Sequence, residues 1–502
     1  MKKRFLDLFG FDAEKKQTSI RTELVAGVVT FLSMAYILTV NPNQIFSSTD
    51  SPYWASAFIA TALAAVVGTL LMAIFAKMPL AQASGMGLNS MLGGLIGGFG
   101  GYGKFTPGQA FMLVFISGIV FLLLSVIKIK GKTFRELAFD GMPVSVRSAI
   151  SVGIGLFIAY IGFQNSGIII FDAYHQVGFV DFTNWGEQIV NQGLPGWDAA
   201  KTAAVTFVGL FLITILEKFN VKGSIIIGIL GATVVGIPLG VTDLSTLLGN
   251  DAVSWKFWEN FANFFGGEYS VFGSFVTVFT DGLVPEGSSL FTVIMIVMTM
   301  CMIDMFDTMG TIVGCCGGNS VLSDENGKPR NYGKIMLSDS IATCAGAMIG
   351  TSTVTTFVES GSGVSAGGRT GLTAFSTACL FFLSMFATPL FATIPGAAAA
   401  SALIYVGVLM MKGNIKGIDF TTPVNATSAF LTISVMVLAY SITGGIGVGM
   451  LSYTVISIIN YLIALIVSAI KKTERPKWDV SIVAIIVSVL FAIYFFVPVS
   501  LF

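Results

Sequence analysis

The sequence predicts an all-α polytopic membrane protein of fourteen transmembrane segments, and three observations predict it. Of its 502 residues, 54% are hydrophobic and only 11% are charged, whereas a soluble chain carries roughly a quarter charged residues. Uncharged runs recur, among them Val25–Gln44 and Gly287–Ile303, each long enough to cross a hydrocarbon core of about 30 Å as a helix. Basic residues crowd nearly every second connection, as they do on the cytoplasmic side of membrane proteins.

Taken in order, the apolar segments fall at about 24–44, 55–76, 79–99, 109–127, 145–163, 202–217, 223–239, 287–314, 335–350, 352–368, 371–391, 396–411, 425–442 and 446–470. Lysine and arginine gather in the N-terminal tail, at Lys77, between Lys128 and Arg135, at Lys218 and Lys222, between Lys328 and Lys334, at Lys412 and Lys416, and from Lys471 to Lys477. That alternation places the N-terminus inside. The long connections at about 165–200 and 240–286 hold Trp, Asp and Glu with few basic residues and read as outside loops. Segments one and eight then run in opposite directions, and Gly-Met-Pro-Val at 141–144 is echoed by Thr-Ile-Pro-Gly at 393–396. Seven plus seven crossings of opposite direction are what a secondary transporter built from inverted repeats requires. One apolar stretch, Val480–Phe496, is left over; it is long enough for a fifteenth span or can lie along the membrane surface.

Several function classes are excluded. The net charge is zero, which gives no electrostatic footprint for nucleic acid. The five cysteines, Cys301, Cys315, Cys316, Cys344 and Cys379, have no metal spacing and read as small buried hydrophobes. The single histidine, His175, sits in a polar stretch and so supplies no imidazole to a proton path within the membrane. There is no catalytic Ser/His pairing, and GGYG at 100–103 and GCCGGN at 314–319 lack the lysine of a phosphate loop. The start, MKKRFLDLFGFDAEKK, is basic, but Asp7 and Asp12 interrupt its apolar residues; it reads as a cytoplasmic tail and not as a cleaved signal.

Three acids stand where acids are costly: Asp304 and Asp307 in MIDMFDTMG, and Glu359 in TSTVTTFVESGSGVSAGGRTG. A charge in mid-bilayer costs several kcal/mol and so faces protein or water, usually along a substrate or ion path. A spacing of three brings Asp304 and Asp307 to one helix face, where one of the pair can serve only to orient the other. Segment three, PLAQASGMGLNSMLGG, supplies a counterpart. There Gly85 and Gly87 permit unusual dihedrals and close backbone approach, and Asn89 follows where a short helix can begin. An extended stretch plus a short helix crosses where neither alone would, and such backbone is tolerated only inside protein or along a cavity. If segments three and ten meet head to head, their strands can pair and both half-helix N-termini point at one midplane site. Carboxylate, amide and exposed backbone N–H groups together suit the edge of a planar base, whereas the acids would repel an anion. Phe357 is placed either to stack on such a base or to pack in the core. Arg369, at a segment end, can snorkel to the interface.

At these residues the chain resembles the AzgA-type purine permeases of the nucleobase–ascorbate transporter superfamily. The strings that carry the resemblance are ASGMGLNSML (83–92), DMFDTMGTIVG (304–314) and GTSTVTTFVESGSGVSAGGRTGLTA (350–374), with FLDLFGF…TSIRTELVAGVVTFLSMAYILTVNP at 5–42. The resemblance implies the uracil-permease-like fold: two inverted repeats of seven, with short antiparallel strands in segments three and ten. It also implies a core domain (23–135 and 287–392) moving against a gate domain (136–240 and 393–470), besides a tail at 1–22, an extracellular loop at 241–286, and a basic linker with the extra apolar segment at 471–502. It implies a cell-membrane importer of adenine, guanine or hypoxanthine, with Asp304, Glu359, Asn89, the Gly85 and Gly87 backbone and Phe357 at the substrate. No cofactor or metal is expected. A proton, carried by Asp307, Asp304 or Glu359, is expected as coupling ion in preference to sodium. A permease for uracil or xanthine, and more remotely an anion transporter of the same fold, are the competing readings; the sequence leaves a homodimer open.

Overall fold

Amide groups buried among apolar side chains must bond within their own segment, and in a computed structural model of the chain nearly every segment is accordingly helical. The structure describes residues 6–11, 18–46, 51–98, 104–129, 132–133, 142–170, 177–180, 196–248, 255–285, 288–316, 321–323, 329–471, 474, 478 and 480–496. His175, the GGYG stretch and residues 317–319 lie outside the described residues.

The chain begins with α1 (Ile20–Met34), α2 (Ile37–Phe46), α3 (Trp54–Leu71), strand β1 (Gln82–Ser84), α4 (Met86–Gly97) and α5 (Pro107–Val126). Two short hairpins, β2–β3 (Lys128–Ile129, Lys132–Thr133) and β4–β5 (Ile169–Ile170, Gly178–Phe179), flank α6 (Val144–Asn165). Then come α7 (Gly196–Lys218), α8 (Ser224–Gly236), α9 (Phe257–Gly266) and α10 (Val271–Asp281). The second half runs through α11 (Leu290–Cys316), α12 (Tyr332–Ile349), strand β6 (Val354–Thr356), α13 (Ser360–Ser365), α14 (Gly371–Ser384) and α15 (Thr388–Ala392). It closes with α16 (Gly396–Asn414), α17 (Pro423–Leu438), α18 (Ile442–Lys471) and α19 (Ile482–Phe496). Among the described residues nine helical spans have the length and apolarity to cross a membrane, and α8, α17 and α19 are shorter apolar helices. The chain is a multi-pass membrane protein.

Packing sorts the helices into two groups. In one, α12 lies on α3 and α5, α14 on α1 and α3, and α2 on α3 and α4; in the other, α6 lies along α16 and α17, α7 on α8 and α16, and α17 on α18. The seam between α6 and α16 is made of small residues, which let helix backbones approach within a bilayer. A Cβ on Gly407 would stand 2.5 Å from Gly155 O, and one on Gly155 would stand 2.8 Å from Met410 Cβ.

The antiparallel pairing of β1 with β6 sits at the centre of the first group. Gln82 faces Thr356, Ala83 faces Thr355 and Ser84 faces Val354. Gly85 N donating to Thr353 O (2.9 Å) and Phe357 N donating to Ala81 O (3.0 Å) extend the ladder at both ends. Gly68 of α3 makes room for it, since a Cβ there would meet Val354 Cγ1 at 2.7 Å.

The structure departs from the sequence reading in three places. The first apolar segment is interrupted: α1 ends with Ala35 as C-cap and α2 begins at Ile37, with no glycine or proline at the break to signal it. Residues 241–286 are no simple loop, because α9 and α10 fold there and pack on α3 and α5; the Phe257, Phe261, Phe264 and Phe265 spacing is helical. Neither Gly85 nor Gly87 has a positive φ, so their role is clearance and not dihedral freedom. The left-over apolar stretch is the short helix α19, which packs on α18 and is pinned by a Thr454–Ser488 hydroxyl pair at 2.7 Å.

Gly407→Ala is expected to cost about 1–3 kcal/mol through overpacking, seen as a lower melting temperature of the detergent-solubilised protein. Gly94→Ala, with nothing within 4 Å of the added methyl, should leave it unchanged or raised.

Candidate functional site

Directly after β6 the chain turns at Phe357 and Val358 and presents Glu359. This carboxylate is 5% exposed and holds the N-cap position of α13 with helical backbone angles (φ −61°, ψ −18°) and no side-chain capping bond. With only six residues, α13 is too short to offer the helix N-terminus expected from sequence. What Glu359 has instead is a hydroxyl partner: Tyr36 OH, from the break between α1 and α2, donates to Oε1 at 2.7 Å. Its Oε2 has no hydrogen-bond partner among the described residues.

Glu359 borders a cavity of about 110 Å³ between the two helix groups. From the first group come Met86 and Gly87 of α4, Asp307 and Thr311 of α11, and the run from Thr356 to Glu359; from the second come Ser151 and Ile158 of α6, and Val406, Leu409, Met410, Gly413 and Asn414 of α16. At Gly87 the two groups come close, since a Cβ there would stand 3.0 Å from Ile154 Cγ2. Two carboxylates therefore face a pocket whose opposite wall is neutral, and no Lys, Arg or His is among its lining residues. Such a site can accept N–H donors, return hydroxyl or amide hydrogen bonds, and bury a flat apolar face against Phe357 and Ile158.

Of the residues singled out from sequence, Glu359, Asp307, Phe357 and Gly87 meet at this cavity. The other three do not line it. Asp304 is fully buried one turn away and accepts from Thr343 Oγ1 at 3.1 Å. Asn89 takes a hydrogen bond from Ser352 Oγ on its Oδ1, and its Nδ2 is unpartnered among the described residues. Gly85 caps α4 against Thr353 and Thr355. These three build the frame behind the pocket.

Two further buried acids escaped the sequence reading. Asp339 Oδ1 of α12 accepts from Gln82 Nε2 (2.9 Å) and Thr308 Oγ1 (3.0 Å), tying the β1 strand to α11 and α12. Glu23 of α1 accepts from the Arg369 N–H (3.0 Å), the Thr370 N–H (3.2 Å) and Thr373 Oγ1 (2.5 Å). It thus places a carboxylate at the N-terminus of α14, where the helix dipole favours an anion. Arg369 does not reach outward; its Nη1 donates to Val364 O (2.6 Å) and Gly368 O (2.7 Å), closing the end of α13. The missed acids carried little signal: Asp339 lies between Ser338 and Ser340, and Glu23 stands in the first turn of α1 two residues after Arg21.

A helical membrane protein with an acid-lined cavity between two helix groups has the layout of a transporter. The chain belongs to a family of permeases: residues 21–448 match the model described as "Permease family", and the protein is a permease, not an enzyme. It is 33% identical to the guanine/hypoxanthine permease PbuO of Bacillus subtilis, over 97% of this chain and 100% of that protein. It is 32% identical to the adenine permease AdeQ of Escherichia coli, over 96% of this chain and 94% of that protein. Among solved structures, it is similar in fold to the transmembrane domain of a cyanobacterial bicarbonate transporter, BicA, with a TM-score of 0.56 at 13% identity, covering 84% of this chain and 97% of that one.

Glu23→Ala would leave two buried N–H groups and a hydroxyl without their acceptor, at about 1–3 kcal/mol for an unsatisfied group. The expected result is a lower melting temperature of the purified protein, with Thr373→Ser, which keeps a hydroxyl, close to wild type.

Proposed function

We propose that the protein imports purine nucleobases, hypoxanthine, guanine or adenine, across the cell membrane by proton symport. One observation carries this reading: Glu359, with an oxygen unpartnered among the described residues, and Asp307 face a single cavity that also offers neutral hydrogen-bonding groups and apolar walls. Glu359 accepts a ring N–H, Phe357 covers the base, and the second wall contributes Ser151 and Asn414. Asp307, not Asp304, is the acid on α11 that meets the ligand, because Asp304 is spent on Thr343 behind the pocket. Similarity to the named purine permeases supports the substrate class.

In this reading the fourteen segments form two inverted repeats with the N-terminus cytoplasmic. The group containing β1 and β6 is the core, and the group containing α6 and α16 is the gate. Substrate-side groups on the core move as a unit against the gate, carrying the base across. A proton on Asp307 or Glu359 reduces the charge that must travel with it. A bicarbonate-like anion is disfavoured by the two carboxylates and by the lack of a basic residue in the lining. Uracil or xanthine is separated from purines by a competition panel.

Labelled hypoxanthine should accumulate in sealed, energised vesicles and collapse to equilibration with a protonophore; accumulation that persists excludes proton coupling, and a sodium requirement reassigns it. Glu359→Gln should abolish binding measured by isothermal titration. Asp307→Asn should remove uphill accumulation more than it removes equilibrium exchange of the base.

A further inference from the structure

Tyr36 lies outside the cavity lining yet touches two residues that form it. Its hydroxyl donates to Glu359 Oε1 at 2.7 Å and stands 3.7 Å from Met86 Sδ. The ring is 1% exposed and is held at the interruption between α1 and α2. A phenol has one proton to give, and a hydrogen bond to a carboxylate is of the strong, charge-assisted kind. With Oε1 tied, the side-chain torsion of Glu359 is set, and Oε2 remains the oxygen without a partner among the described residues.

We propose that Tyr36 is a positioning residue for ligand binding: it grips Glu359 through Oε1 so that Oε2 is the one carboxyl oxygen offered to an N–H of the bound base. This rests on the reading of the cavity as a nucleobase site. Met86 gives the grip a second state. When Glu359 takes up a proton on Oε1, that O–H donates to the phenol oxygen and the phenol proton turns to the Met86 sulfur, a weak acceptor. Oε2 then stays an acceptor toward the ligand whether or not Glu359 is charged. The other ionisable groups around Glu359 are Asp307, which lines the same side of the cavity, and Cys315, both of α11; Cys315 Sγ donates to Val358 O at 3.4 Å. The facing walls of α6 and α16 supply Ser151 and Asn414, which do not titrate in this range.

Tyr36→Phe removes the hydroxyl and keeps the buried ring. Uptake of labelled hypoxanthine by this variant should show KM raised about ten- to hundredfold, the range for a lost hydrogen bond to a charged group, with Vmax per folded transporter unchanged. A second readout does not depend on folded yield: competition by hypoxanthines methylated singly at each ring nitrogen, expressed relative to hypoxanthine in the same variant. In the wild type, one methylated analogue should compete far worse than the others, and in Tyr36→Phe that penalty should shrink about tenfold because the released carboxyl can swing aside. Uptake that is abolished by Glu359→Gln but keeps a wild-type KM and a wild-type methylation penalty in Tyr36→Phe overturns the inference alone. Uptake that survives Glu359→Gln overturns it together with the assignment of the site.

Discussion

The pairing of two three-residue strands, Gln82–Ser84 with Val354–Thr356, is the constraint on which the rest of the architecture depends. Helices satisfy their own amides, so a helical membrane protein can bring backbone and turn residues to its interior only by another internally bonded arrangement. Here two interrupted segments, far apart in the chain, complete each other's hydrogen bonds, and the ladder continues through Gly85 and Phe357. Once the ladder closes, the residues just after β6 emerge at a fixed point, and Glu359 is the third of them. The strands are held from both sides. Gly68 yields space on α3, and Gln82 turns its amide to the carboxylate of Asp339, which also takes the Thr308 hydroxyl. Asp339 thereby binds strand, α11 and α12 into one block, and the acidic pair of α11 is aligned with the strand crossing.

The cavity exists because that block meets a second one whose own packing is governed by glycine. Gly155 and Gly407 let α6 and α16 run nearly in contact, which forms a smooth wall of Ile158, Val406, Leu409 and Met410 with two neutral polar groups. Opposite it, Gly87 keeps α4 from colliding with Ile154. All of the carboxylates lie on one side. Both lining carboxylates are therefore carried by the block that holds the strands, and the opposing wall is neutral. An interface between packed groups, apolar with a few convergent polar atoms, is where small-ligand sites usually form.

Much of the site was legible from residue type alone. Glu359 and Asp307 stood out because a charge in mid-bilayer is costly, Phe357 because it stands two residues before Glu359, and the structure gathers all three at one cavity. The reading was weaker where a choice depended on helix rotation. Spacing puts Asp304 and Asp307 near one another but does not say which faces the opening, and packing against Thr343 takes Asp304 away from it. Tyr36 and Glu23 carried no local anomaly. An aromatic in a span and an acid near a helix start are ordinary, and their partners lie 323 and 346 residues away in the chain.

By itself, then, the amino-acid order determined the membrane setting, the apolar segments and the places where helices give way to extended backbone, because hydropathy, glycine content and charge are local properties that the bilayer filters directly. Tertiary structure alone decided which carboxyl oxygen stays unpartnered among the described residues, which acid is tied off behind the pocket, and that the helices within residues 257–281 pack on α3 and α5. Those outcomes come from donors and clearances contributed by distant segments. No local pattern can specify a hydrogen bond whose other half arrives only when two interrupted crossings pair.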